Sequence, residues 1–183
     1  MSGRGSIEQT EIHRMLSEYF DIPVTQTFDM DLTPVTTGCK VPYMNSDLAL
    51  AIATSAHQGQ VDKSGVDYIH HPVRVAAGFA QDSDESVVAL LHDVLEDTDV
   101  SLDDLFAQGL TQAQADALVA ITHLDHEPNV DYIARVKGNA LATRVKLADL
   151  DDNSSPERMA NLDQATQDRL QGKYDRARAQ LLA

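Results

Sequence analysis

Residues 85–98 read ESVVALLHDVLEDT, and the fold turns on this stretch. Val87, Val88, Ala89, Leu90, Leu91, Val94 and Leu95 cover almost the whole circumference of a helix expected over 84–96. A helix apolar on most sides is buried among other elements. His92, Asp93, Glu96 and Asp97 interrupt it. Glu96 follows His92 by four residues and Asp93 by three, and Asp97 follows Asp93 by four. Helical spacing therefore puts all four side chains in one sector near the helix end. Three carboxylates buried together without compensation are very unfavourable. Either the helix end emerges into water or a cation sits there. The negative pole of the helix dipole makes a C-terminus a poor place for carboxylates, which favours the cation.

Outward from this helix the text from Asn45 onward is helical. Asn45 or Ser46 caps a helix through about His57. Pro72 is expected to open a short helix at its tolerated first position. Ser101 with Asp104, and Thr111 with Gln114, have the spacing of capping boxes. Residues 130–137 and 139–150 continue the pattern, and Ser155 with Pro156 starts another turn. The last helix, about 163–182, places Leu170, Tyr174, Ala177 and Leu181 on one stripe. No strand–helix alternation appears, so the expected class is all-α. The first 45 residues differ. Ile7, Ile12, Met15, Leu16 and Phe20 suggest an amphipathic helix over 7–19, and residues 21–45 read as an irregular arm with minor β structure. The expected division is an N-terminal extension, 1–45, and a helical domain, 46–183.

Composition narrows the function. The chain has 183 residues, the size of one domain with a short extension. Its formal charge is −15, from 14 basic and 29 acidic residues. Such a surface argues against nucleic-acid or membrane partners, both polyanionic. An anionic substrate would need a metal ion and local cations to offset the repulsion. Cys39 is the only cysteine, so neither an internal disulfide nor a cysteine metal cluster is expected. No apolar run reaches the ~18 residues of a membrane span, and MSGRGSIEQT lacks the apolar core of a signal peptide. The expected compartment is the cytoplasm. The oligomeric state, a homo-oligomer included, stays open.

Further metal donors lie in two other segments. YIHHP offers His70 and His71, and RVKLADLDDN offers Asp149. Taken alone, each reads as readily as a structural histidine or a helix-end aspartate. Two His with two Asp form a mixed nitrogen and oxygen set, suited to Mn, Fe or Zn and poorly to Mg or Ca. Without sulfur ligands and with positions left for water, such a site looks catalytic.

Together, AHQGQVDKSGVDYIHHPVRVA (56–76), LLHDVLEDT (90–98) and RVKLADLDDN (144–153) resemble the hydrolase domain of RelA/SpoT proteins. More closely they are similar to the small alarmone hydrolases and their HD phosphohydrolase relatives. The resemblance covers about residues 46–182. It implies an all-α HD-domain bundle in which His71, His92, Asp93 and Asp149 hold one divalent metal. That metal is usually Mn²⁺, with Fe²⁺, Co²⁺ or Zn²⁺ as alternatives. Glu96 and Asp97 then fall on the acidic pair that positions and activates the attacking water. Lys63 matches a lysine that contacts the nucleotide, and Asn153 an asparagine that contacts the ribose. The implied reaction removes the 3′-pyrophosphate of (p)ppGpp or a related alarmone such as (p)ppApp. A synthetase half would need a second domain, for which this length leaves no room.

Two departures bear on the substrate. The family's loop carries an Arg that stacks on guanine, and here Asp62 occupies that position. An aspartate cannot stack as a guanidinium does. Where the family reads ADRLHN, this chain reads ADLDDN, so Asp151 and Asp152 are expected to add negative charge beside the site. A metal-dependent phosphatase acting on another nucleotide, NADPH or a nucleoside monophosphate, is therefore the alternative, followed by a non-catalytic nucleotide sensor. His57 reads as a structural helix-end residue. His123 and His126, with Asp125 and Glu127, read as a surface cluster. Arg144 and Lys146 read either as phosphate contacts or as solvated charges.

Overall fold

The structure is a computed structural model that describes residues 43–62 and 65–183. The expected helix over 7–19 and most of the arm over 21–45 lie outside the described residues, as does Lys63. Ten helices follow among the described residues: α1 Ser46–Ala56, α2 His70–Ala76, α3 Asp84–Leu91, α4 Val94–Asp97, α5 Leu102–Ala107, α6 Gln112–Ile121, α7 Asn129–Lys137, α8 Ala140–Asn153, α9 Pro156–Met159 and α10 Gln164–Leu182. They contain no strand, only an isolated bridge between Val61 and Asp67. The described part is all-α. None of its helices is long and apolar enough to cross a membrane.

The helix starts follow from their caps. Asn45 accepts from the Leu48 N–H at the head of α1. Both capping boxes form, Ser101 with Asp104 on α5 and Thr111 with Gln114 on α6. Each satisfies orphan N–H groups at a helix start. Ser46 is not the cap. Its hydroxyl instead meets Ser86 Oγ at 2.9 Å and accepts from Asp82 N–H at 2.9 Å, pinning α1 to the start of α3. The helix expected to open at Pro72 begins two residues earlier, at His70. Pro72 still lies in the first turn, where its missing N–H costs nothing, and His71 is thereby carried on the helix.

α3 is the axis of the bundle. Every residue from Ser86 to Leu91 is buried, and the helix packs against α1, α2, α6 and α8. Val87, Val88, Leu91, Val94, Leu105, Leu118, Val136 and Val145 form the centre of the core. Fully burying each such side chain stabilises the fold by roughly 1.5–3 kcal/mol. α10 closes the bundle against α7 and α8, burying Leu170, Ala177 and Leu181 along its stripe.

The single helix expected over 84–96 is two, with a break at His92 and Asp93. His92 Nδ1 lies 2.8 Å from Ala89 O. In an unbroken helix that carbonyl would accept from Asp93 N–H. A side chain inserted into the ladder is a recognised cause of such an interruption. Apolar periodicity carries no trace of it.

Candidate metal centre and adjoining cavities

The side chains expected to bind metal converge from three elements. His71 comes from α2, His92 and Asp93 from the α3–α4 break, and Asp149 from α8. His71, His92 and Asp149 are each 3% exposed, and their ligand atoms lie within 4.8 Å of one another. Asp149 Oδ1 lies 3.1 Å from His71 Nε2 and 3.7 Å from His92 Nε2. Asp93 Oδ2 lies 3.0 Å from His92 Nε2 and 3.6 Å from His71 Nε2. Donors about 2.1 Å from a shared ion, in tetrahedral to octahedral arrangement, stand about 3.0–3.4 Å apart. The two shorter separations fall in that range and the two longer ones just above it, so the group could hold an ion.

The tautomers fit as well. His92 donates from Nδ1 to a backbone carbonyl, which leaves Nε2 as the nitrogen that could bind an ion. That Nε2 is buried and has no hydrogen-bond partner among the described residues, although Asp93 Oδ2 is near. A buried polar atom left unpaired beside three more donors fits a cation-binding role. His70, the other histidine of YIHHP, is exposed and stays out of the cluster.

Outer contacts hold the ligands. Tyr68 Oη donates to Asp93 Oδ2 at 2.6 Å. Lys146 Nζ reaches Asp149 Oδ2 at 2.9 Å, and Asn153 Nδ2 donates to Asp149 Oδ1. Lys146 also stands 5.4 Å from the Tyr132 ring centre and is therefore a buried counter-ion, neither solvated nor free for a phosphate. Arg144 pairs with Glu85 at the surface. Asp152, expected to add unpaired negative charge, is instead surrounded by His71, Arg74 and Arg158, and Asp151 pairs with Arg178.

Charge coupling within the cluster is strong. Burial alone would lower His71 and His92, but Asp149 and Asp152 around the first, and Asp93 and Asp149 around the second, raise both. Burial works against the Asp93 and Asp149 carboxylates, yet His92 holds Asp93 below its usual range, and Lys146 with the two histidines holds Asp149 there. Burial and the Asp93 carboxylate push the Tyr68 phenol up, so it stays a donor.

The cluster opens into a cavity of about 280 Å³ whose walls include Glu96, His123, Tyr132, Lys146, Lys173 and Tyr174. Glu96 sits at its mouth, where it meets solvent. Burial by the cavity wall raises its carboxyl to about 7, with the Asp93 and Asp97 charges adding to the effect and the His123 N–H opposing it. Water at the mouth screens part of that shift. Its Oε2 accepts from His123 N–H at 2.9 Å. His123 therefore belongs to the cavity wall, its ring edge-on to Tyr132 at 4.7 Å, while His126 stays exposed. Glu127 is taken up by Arg135. Asp97 does not share the Glu96 cavity. It lines a second one of about 540 Å³, with Val61, Asp62, Arg158, Met159, Leu162 and Leu170. Tyr68, Asn153 and Tyr174 are walls of both. His57 ends α1, buried, with its ring 4.9 Å from Tyr68 and Nδ1 2.8 Å from Gln60 Oε1.

Comparison with known proteins agrees with the class of site. No protein-family model matches the chain. The bifunctional (p)ppGpp synthase/hydrolase SpoT of Escherichia coli K12 is 39% identical over 80 residues, 42% of this chain and 11% of that protein. The guanosine-3′,5′-bis(diphosphate) 3′-pyrophosphohydrolase of Vibrio cholerae is 49% identical over 59 residues, 31% of this chain and 8% of the relative. The protein of the same name in Haemophilus influenzae is 54% identical over 50 residues, 26% of this chain and 7% of the relative. The chain thus spans about a tenth of the length of the curated relatives it matches. Over these stretches the resemblance to RelA/SpoT-type hydrolases is borne out.

Proposed function

We propose that the chain is a metal-dependent phosphohydrolase that removes the 3′-pyrophosphate from (p)ppGpp or a related alarmone such as (p)ppApp, acting in the cytoplasm on a small nucleotide. The observation that carries this reading is the convergence of two histidines and two aspartates on one point at the foot of a cavity. His71, His92, Asp93 and Asp149 would hold one divalent ion, with Mn²⁺ preferred by the donor set. When bound, the ion supplies a Lewis acid that polarises a phosphoryl oxygen and makes water more acidic. Glu96 serves as general base. Its Oε2 is engaged by His123 N–H, so the water proton passes to Oε1. The water oxygen bonds to phosphorus as the ribose 3′-O–P bond breaks, and the proton taken by Glu96 returns through solvent at the cavity mouth to the leaving 3′-oxygen, giving a 3′-hydroxyl and pyrophosphate. Lys173 on the cavity wall offsets phosphate charge. The second cavity, walled by Val61, Met159, Leu162 and Leu170 between Tyr68 and Tyr174, suits a nucleoside, with Asn153 at the junction for the ribose.

The test is a panel with purified protein and Mn²⁺: ppGpp, ppApp, NADPH and nucleoside monophosphates, reading pyrophosphate and orthophosphate separately. Pyrophosphate from an alarmone is expected, and an absence of alarmone turnover would sink the reading. Asp62, on the wall of the nucleoside cavity where the relatives' stacking Arg is expected, supports one other reading. Under it the same chemistry acts on a nucleotide without guanine, and orthophosphate from NADPH or a monophosphate is its signature.

A further inference from the structure

His71 is held at both ring nitrogens by carboxylates from one helix. Asp149 Oδ1 lies 3.1 Å from Nε2, and Asp152 Oδ2 lies 2.7 Å from Nδ1. Asp149 and Asp152 are three residues apart on α8 and so share a face. The Asp152 side chain is 9% exposed and also receives two guanidinium groups. Arg74 donates from Nε to Oδ1 at 2.6 Å and from NH2 to Oδ2 at 3.1 Å. Arg158 donates from NH1 to Oδ2 at 2.8 Å. A carboxylate so paired is an acceptor only. The His71 Nδ1 facing it must therefore carry a hydrogen, which leaves Nε2, on the side of Asp93 and Asp149, as the nitrogen that could bind an ion. His92 reaches the same tautomer with the Ala89 carbonyl. A carboxylate behind His71 makes that imidazole the stronger donor of the two.

We infer that Asp152 is a positioning residue for the metal centre: it locks His71 as the Nδ1–H tautomer with Nε2 turned to the ion. Arg74 and Arg158 hold the carboxylate away from the ion, so that it does not become a fifth ligand. The inference rests on the metal reading of the site and is independent of which nucleotide is cleaved.

Two measurements without substrate decide it. In ¹⁵N-labelled protein loaded with Zn²⁺, long-range ¹H–¹⁵N correlation should show His71 bound through Nε2, with an Nδ1–H protected from exchange. Coordination through Nδ1, or an Nδ1–H in fast exchange, overturns the inference before any variant is made. Mn²⁺ affinity, read from the electron paramagnetic resonance of the free ion, should fall about 10–100-fold in Asp152→Ala. Asp152→Asn, whose amide oxygen still accepts from Nδ1–H, should regain most of that loss. Wild-type affinity in Asp152→Ala, or an equal loss in both variants, refutes positioning and leaves charge balance alone. Because no nucleotide is present, a failed alarmone assay and a failed tautomer assignment are separate results.

Discussion

Replacing Lys146 by Met tests whether the metal site is built around a buried charge that needs cations. The Lys146 side chain is 19% exposed, and its Nζ stands 2.9 Å from Asp149 Oδ2. At an effective dielectric of about 20, that separation corresponds to about 6 kcal/mol of gross attraction. Desolvation of the two groups cancels part of this, and removing one partner of a buried pair typically costs about 3–5 kcal/mol because the other charge is stranded. Asn153 still donates to Asp149, and His71 and His92 still face it, which places the expected loss near the lower end, about 3 kcal/mol. Met keeps the apolar stem against Tyr132, so lost packing contributes little. The assay is urea denaturation of the metal-free protein, followed by the same titration in saturating Mn²⁺. The loss should shrink when the ion is present, because the ion then balances Asp149. By linkage, Mn²⁺ must bind the variant more tightly than the wild type, about tenfold for each 1.4 kcal/mol recovered. A variant within about 0.5 kcal/mol of wild type in the metal-free state, the range of ordinary surface substitutions, would refute the claim that Lys146 neutralises a buried carboxylate.

Glu96→Gln should lower kcat by about 10²–10⁴ while leaving Mn²⁺ affinity at the wild-type level, as steady-state kinetics and metal titration will read. Because burial raises the Glu96 carboxyl to about 7 and a nearby cation lowers it, kcat/KM should rise with pH through an acid limb at or below that value. The limb should vanish in Glu96→Gln. Metal binding carries its own pH dependence. His71 and His92 are raised by the carboxylates around them, so protons compete with the ion to a higher pH than an ordinary imidazole near 6.5 allows. Calorimetry in buffers of different ionisation enthalpy should show proton release on binding and affinity falling as pH drops. Affinity independent of pH between 5 and 8 would contradict the histidine ligands.

Much of this architecture is local chemistry and was legible for that reason. Capping boxes at Ser101 and Thr111, the Asn45 cap and the α10 stripe depend on residues a few positions apart, and each forms as its spacing predicts. The candidate donors come from three separate segments, yet the acidic cluster of LLHDVLEDT left either a helix end in water or a cation as the choice, and the YIHHP and RVKLADLDDN motifs offered the remaining donors; the structure brings His71, His92 and Asp149 together and places Glu96 and Asp97 at exposed positions. The pairings around them were not legible. Asp152 meets Arg74 and His71 across 78 and 81 residues, and of its three partners only Arg158 lies near it in sequence. Lys146 reads as a phosphate contact or a solvated charge because its burial depends on Tyr132, a residue of another helix. His123 reads as a surface residue because its backbone bond to Glu96 spans 27 positions. The separation of Glu96 from Asp97 follows from their being neighbours on one helix, where consecutive side chains point about 100° apart, a divergence that grouping both with Asp93 in one sector passes over.

That break has a consequence for how the protein could change over time. Consecutive residues of a regular helix point about 100° apart, a poor arrangement for two neighbours meant to grip one ion. By taking the Ala89 carbonyl, the His92 ring loosens the backbone at the place where Asp93 must turn inward. In the proposed centre the histidine would thus be both a donor and the cause of the bend that delivers the next donor. A lineage that lost His92 would lose a second ligand with it, because a mended helix swings Asp93 away. Activity at such a centre would disappear in one step rather than fade, and return would require restoring backbone and chemistry together.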